Sequence, residues 1–542
     1  MTKKIEIENT ADVVIIGAGA AGLFSALSLA QMGRRVTVLS EAELTGICAS
    51  CWAQGGIAAA VSKRDSAAAH TQDTLKAAAG TADIKVVERM TETAPDYIQV
   101  LERYGVKFKK DAVTGGFALS REACHSERRV LRAKAGDGFG KELMRALTAA
   151  TAQEALINFI PFHTALSVVR EHTQSLGNIT GILAHNHKDN SFHIYPAASV
   201  IMATGGAGGL FSHTTNPTFA TGRGVAMAAR AGAVLADMEF VQFHPTALDI
   251  GQDPAPLATE ALRGEGAILV TEDGKRFMHN YHKMAELAPR DVVSRAVFSE
   301  ISKGRDVFLD CRALDVDEFP ALLEACESVN IHPATDLVPI HPAAHYHMGG
   351  IATDLNGRSS INGLWACGEV ASTGLHGANR LASNSLMEAI VMAGHAAADI
   401  HSYLKTAHAA EIYNIPTHCQ NTVSRYMRLD PRDHIAEKAR ATLRKTMMDH
   451  VGLLRNERGL RHALSVLQTL EAYPAIADMA LVARIATASA LQREESRGGH
   501  WRTDFPDENK VWQHRSFTTL KEVNLLTGTL KAKPEKKEKA YA

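Results

Sequence analysis

Residues 11–30, ADVVIIGAGAAGLFSALSLA, are apolar almost throughout. The run DVVII (12–16) has no alternation, which predicts a strand buried on both faces. Residues 20–32 then read as a helix and RVTVL (35–39) as a second strand. A signal anchor would share this hydropathy. Asp12 at its start, glycines at 17, 19 and 22, and the strand that follows favour a βαβ unit instead. Further along, 71–105 and 137–155 carry helical periodicity. Strand-like pieces at 157–169 and 178–201 lead into the turn IMATGG (201–206), and 221–236 resumes a helix–strand pattern. From 237 to 345 prolines and histidines become frequent, the texture of an inserted second domain. Glycine-rich text returns at WACGE (365–369) and HGANRLASNSL (376–386). After about 418 the chain is arginine-rich and helix-periodic, and the tail KAKPEKKEKAYA (531–542) is predicted to be disordered.

Composition narrows the function. A chain of 542 residues needs two or three domains. With 58 basic and 59 acidic residues there is no general attraction for nucleic acid or an anionic membrane, so any anion must be met by local clusters of arginine and histidine. Seven scattered cysteines do not make a disulfide framework and suit a reducing cytoplasm. Cys48-Ala-Ser-Cys51 has redox-motif spacing, but its alanine- and glycine-rich surroundings favour a plain small-residue role over redox or metal chemistry.

The glycines carry specific chemistry. Gly17-x-Gly19-x-x-Gly22 between strand and helix allows a tight turn, close approach of a pyrophosphate and helix–strand contact, with the phosphates at the helix N-terminus. Glu41, past the second strand, is the candidate for the ribose. Gly205 marks a second place where backbone approaches a ligand. By itself this predicts a dinucleotide, FAD or NAD.

Four segments together decide between them: GAGAAG (17–22), SCWAQGGIAA (50–59), HPT…TEALRGEGA (244–267) and HGANRLASNSL (376–386), with ESRGGHWRTDFP (495–506) in support. In this order they resemble the fumarate reductase/succinate dehydrogenase flavoprotein family over nearly the whole chain, and within it the members that oxidise L-aspartate. The resemblance implies an α/β, Rossmann-like FAD-binding domain split between 1–236 and 346–417. It also implies an α+β capping domain at 237–345 and a C-terminal α-helical domain at 418–530. Ala49 stands where membrane-complex members carry a flavin-linked histidine, so FAD is expected to be non-covalent. Family position assigns FAD contacts to Ala18, Gly19, Ala20, Ala21, Ser50, Gln54, Gly55, Gly56, Glu369, Ser385 and Leu386. One departure is Arg223, in TGRG, where the family has an acid.

The resemblance further implies a dicarboxylate site made by His244, Thr259, Arg290, His345 and Arg380, with Arg290 and Arg380 suited to bidentate carboxylate pairing. Glu260 and Arg263, at i and i+3, resemble a proton relay to the catalytic Arg290. The implied reaction takes a hydride from Cα of L-aspartate, giving iminoaspartate, with O2 (yielding H2O2) or fumarate (yielding succinate) as acceptor. It would open NAD biosynthesis and pass its product to quinolinate synthase. The alternatives are a soluble fumarate reductase or succinate dehydrogenase flavoprotein, or a flavin-binding protein without turnover. No metal, nucleic acid or membrane is expected, and the oligomeric state stays open.

The stretch ALSREACHSERRV (118–130) bears on the choice of substrate. Aspartate-oxidising members read R-E-G-G-H-S here, while succinate-type members lack the glutamate and carry glutamine for the histidine. Arg121, Glu122, His125 and Ser126 match, so Glu122 is expected to read the substrate ammonium. Ala123 and Cys124 replace two glycines, which predicts a different backbone path.

Overall fold

The computed structural model describes residues 4–46, 48–134, 138–170, 178–407, 412, 415–428 and 434–532. The last helix, Leu520–Ala532, runs two residues into the expected tail, and 533–542 lie outside the described residues.

The central sheet runs Ile157–Ile160, Val36–Leu39, Ala11–Ile16, Ser191–Met202, Ile179–Asn186, His163–Arg170, with Ile5–Ile7 and Leu364–Ala366 also pairing to Ser191–Met202. The pairings of Ala11–Ile16 are parallel, whereas Ile179–Asn186 and His163–Arg170 join antiparallel. Uninterrupted apolarity in Ala11–Ile16 has a direct cause. Val13 and Ile15 face one core, with the helices Ala20–Gln31 and Asn384–Tyr403; Val14 and Ile16 face another, with Arg223–Arg230. A strand enclosed by two cores has no polar face to show in sequence.

Two continuous sequence patterns are broken in the structure. The helical stretch 71–105 is two helices, Ala67–Ala77 and Ile84–Arg103, separated at Ala79 and Gly80, both at positive φ (53° and 81°). Ser66 and Asp83 cap them by accepting from Ala69 N (3.1 Å) and Lys85 N (3.0 Å). The piece 178–201 is a hairpin that turns at Asn190, φ 59°.

A second sheet, Val241–Leu248, Val338–His347, Val307–Asp310, Ile268–Thr271, forms the cap and has its own core, including Leu262, Leu269, Val297 and Leu309. Among the described residues the C-terminal helices have no core of their own. Leu443, Met447, Leu464 and Leu481 pack in the same core as Val14 and Met202. The segment Pro474–Gln492 is long and apolar enough to cross a membrane, and 83% of its most apolar window is buried inside the protein.

Candidate active site

A cavity of about 1090 Å³ runs from the C-terminal ends of the parallel strands to the underside of the cap. Its nucleotide end follows from the glycines. Gly17 adopts φ 107°, and a Cβ there would lie 2.3 Å from Ala203 O. A Cβ on Gly22 would lie 2.0 Å from Gly17 O, so Gly22 permits the close turn and is not itself on the cavity wall. Ala20 N–H, in the first turn of its helix, donates to Ser50 Oγ at 3.2 Å. Opposite, a Cβ on Gly206 would come 2.2 Å from Glu369 Oε1. Glu369 accepts from His347 N at 3.0 Å, and burial pushes its carboxyl up to about 7. Gly17, Ala18, Gly19, Ala20, Ala21, Glu41, Ser50, Gln54, Gly55, Gly56, Gly205, Glu369, Ser385 and Leu386 all line the cavity, with Ala49 beside them. Arg223 replaces an acid but does not leave a naked charge at this wall, because it pairs with Glu41. The glycine cradle, the helix N-terminus and the cavity size fit a dinucleotide of FAD's dimensions.

The cap end is built on arginines. Arg290 opens the helix Arg290–Ser302. Its Nη2 lies 2.6 Å from Glu260 Oε2, its Nε donates to the same oxygen at 2.7 Å, and Nη1 donates to Gln242 Oε1 at 3.2 Å. Arg263 Nη2 donates to the other Glu260 oxygen at 3.1 Å. Glu260 is buried, which opposes its ionisation, yet Arg290 and Arg263 hold its carboxyl below the ordinary range. Burial lowers Arg263 in turn. The three expected relay groups are therefore contiguous, with Arg290 and Glu260 on the cavity wall and Arg263 behind them.

Arg380 differs from both. It is 6% exposed, donates to Ser385 Oγ at 3.2 Å, and leaves its Nε without a partner. Among the described residues no carboxylate pairs with it. Burial, then Arg290, lower it to about 10, so it stays a cation at neutral pH. A buried guanidinium without a counterion in the protein is matched to an anionic ligand.

His244 and His345, on neighbouring strands with ring centroids 5.2 Å apart, are both lowered far below the usual histidine range by burial and then by Arg290. They are neutral donors and acceptors. Thr246 N–H donates to His244 Nδ1 at 3.3 Å, leaving the proton on Nε2. His345 Nδ1 lies 2.8 Å from Thr215 Oγ1. Thr259 caps the helix Glu260–Gly264 and also lines the cavity.

Glu122 enters the same cavity, fixed by a 2.8 Å hydrogen bond from Ser383 Oγ and packed against Gly55, where a Cβ would lie 2.6 Å from Oε1. In its loop Cys124 takes the left-handed conformation that glycine favours, φ 68°. Hydrogen bonds on either side hold it there, the buried ones made by His125 and Arg129. His125 Nε2 lies 3.0 Å from Ala382 O, Arg121 Nε donates to His125 O at 2.8 Å, and Ser126 donates twice to Asp73 at 2.7 Å. Arg129, fully buried, pairs with Asp65 and Asp73 and approaches His125 Nδ1 at 3.1 Å. Within this charge cluster Arg129 is absorbed by Asp65 and Asp73, and Glu122 is the member presented to the cavity.

Sequence reasoning missed Gln242 and Ser383. Gln242 stands two residues before His244, and its Nε2 donates to Asn379 Oδ1 and Arg380 O, both at 2.8 Å, tying the two arginines together. The period of two along its strand was the available signal.

An FAD binding domain matches residues 12–386, and a fumarate reductase flavoprotein C-terminal domain matches 468–539. The L-aspartate oxidase of Caulobacter vibrioides is 46% identical over 94% of this chain and 96% of its own; that of Streptomyces coelicolor is 40% identical over 94% and 91%. This chain belongs to the L-aspartate oxidase family. Among solved structures, a point variant of the E. coli quinol fumarate reductase subunit FrdA superposes with TM-score 0.86 at 29% identity, covering 95% of each chain. Mycobacterium smegmatis Sdh1 gives 0.83 at 29%, covering 94% of this chain and 91% of its own. The L-aspartate oxidase family therefore shares the fumarate reductase/succinate dehydrogenase flavoprotein fold, and FAD is the cofactor of this chain.

Proposed function

We propose that this chain oxidises L-aspartate to iminoaspartate, with Glu122 and Arg380 fixing which molecule is accepted. The observation that carries this reading is their pairing of opposite tasks in one cavity: a fixed carboxylate and a buried, uncompensated guanidinium. A substrate with both an ammonium and a carboxylate satisfies both. Succinate leaves Glu122 facing nothing positive. In this assignment Arg380 takes one substrate carboxylate, while His244, Thr259 and His345 donate to the other as neutral groups. Glu122 holds the amine and draws off its proton, so that Cα loses hydride from a neutral amine.

Bound FAD, held non-covalently since Ala49 offers no nucleophile, supplies the hydride acceptor. The Arg290–Glu260–Arg263 chain serves the reverse sense. Arg290 gives a proton to a substrate carbon when fumarate is reduced, and Glu260 restores it from Arg263. This chain supports fumarate as an acceptor beside O2, and it is also what favours the second reading, a soluble fumarate reductase. We assign the activity to the cytoplasm, with unstable iminoaspartate handed to quinolinate synthase at the start of NAD biosynthesis.

The test is anaerobic. Yellow holoenzyme should be bleached by L-aspartate and release intact FAD on denaturation. Bleaching by succinate and not by aspartate would overturn the assignment.

A further inference from the structure

The sequence assigned Cys48 and Cys51 a plain small-residue role, but the fold brings their sulfurs to 3.4 Å. Cys48 precedes the single turn Ala49–Trp52, and Cys51 N–H donates to Cys48 O at 3.0 Å, which closes the turn. Both residues are partly exposed, and Cys48 lines the FAD cavity. The only group of three metal-ligating side chains among the described residues is Glu6, Glu8 and His193, so the cysteine pair has no third ligand for a metal. The hydrogen bond from Cys48 pulls the Cys51 thiol down to about 6, against the effect of burial, and the same contact pushes Cys48 up. Cys51 is therefore the more readily ionised of the pair, with the Cys48 thiol beside it.

We propose that Cys48 and Cys51 form a redox-active dithiol that closes to a disulfide when it meets hydrogen peroxide and, in closing, loosens the FAD site. The Cys51 thiolate attacks a peroxide oxygen; the S–O bond forms, the O–O bond breaks, and the departing hydroxide is protonated to water. Cys48 then attacks the Cys51 sulfur, the S–S bond forms, and the second oxygen leaves as water. Two thiols lose two electrons, one peroxide gains them, and two waters result. Closure needs the sulfurs to approach by about 1.4 Å.

That movement has one direction in which to go. Ser50 lies between the cysteines and accepts from Ala20 N–H at the helix end facing the pyrophosphate. On the other side, Ser50 O is seated so closely on Gly140 that a Cβ there would be 1.9 Å away. The turn cannot yield toward the helix Phe139–Ala152, so its distortion falls on the cofactor wall. An enzyme that makes peroxide from O2 would thereby limit itself, a consequence that rests on the proposed oxidase activity, while the thiol chemistry does not.

The test uses the FAD-loaded protein and added hydrogen peroxide. Alkylation and peptide mass mapping should show loss of two hydrogens confined to the Cys48–Cys51 peptide, reversed by dithiothreitol. The FAD dissociation constant, from fluorescence of released cofactor, should rise about fivefold or more. Cys48→Ser should halt at a Cys51 sulfenic acid that dimedone traps, with FAD retention insensitive to peroxide. The proposal is overturned if the pair stays reduced while exposed Cys124 oxidises, if a sulfinic acid forms in place of the disulfide, or if the disulfide leaves FAD affinity unchanged. A pair that stays reduced in enzyme bleached by aspartate sinks this inference alone; a disulfide in enzyme that aspartate does not bleach sinks only the oxidase reading.

Discussion

Glu122→Gln separates selection of an amino acid from binding of a dicarboxylate. Glutamine has the same length and keeps an oxygen to accept the 2.8 Å hydrogen bond of Ser383, so the loop anchored by His125, Ser126 and Arg129 is undisturbed. What is lost is the charge facing the substrate amine. A hydrogen bond to a charged group contributes about 1.5–3 kcal/mol, so kcat/KM for L-aspartate should fall at least about 10- to 150-fold, and further because glutamine cannot take the amine proton. Fumarate has no ammonium, and removing a negative charge close to Arg380 strengthens the field that attracts a dianion. Reduction of fumarate should hold or rise. Stopped-flow bleaching by aspartate and reoxidation of dithionite-reduced enzyme by fumarate measure the two halves separately. An equal fall in both, or no fall with aspartate, would refute the role given to Glu122.

Arg290→Leu should reduce fumarate turnover at least about 10³-fold while FAD content stays stoichiometric, because Glu260 keeps Arg263 as its partner; retained fumarate reduction would remove the proton-donor role. Gly206→Ala places a Cβ 2.2 Å from Glu369 Oε1, so the purified variant should be colourless, and a yellow one with full FAD would contradict the cradle. His70 and His347 are buried, and burial lowers them to about 3 and about 4, against an ordinary value of 6.5. Below pH about 6.5 the unfolded chain therefore takes up their protons first. Their share of stability, complete above that pH, should be lost toward pH 4 at about 1.4 kcal/mol per pH unit for each. Urea unfolding between pH 7 and 5 measures this, and stability that rises as the pH falls would refute it.

Local signals in the sequence determined the elements with the strictest covalent demands. The strand at 12–16, the glycine turn and the helix from Ala20 follow from an apolar run with glycines where backbone must come close, since no side chain fits at Gly17 or Gly22. Motifs also brought Arg290, Glu260, His244, His345, Arg380 and Glu122 into consideration, because charged donor types at motif positions are visible one residue at a time. Pairing is not visible in that way. That Arg290 shares Glu260 with Arg263 while Arg380 keeps no carboxylate is set by the crossing of the cap sheet and the helix Arg290–Ser302 over the cavity. The same holds for Arg129, absorbed by Asp65 and Asp73, residues 64 and 56 positions away, and for Cys124, held in a left-handed conformation by buried neighbours. Composition and glycine spacing pointed to a dinucleotide, and the resemblance of the motifs to a known family implied which chemistry this protein carries. The tertiary structure decided which charges are spent on one another and which are left for a ligand, because Coulomb energy and desolvation depend on distance and burial and not on position along the chain.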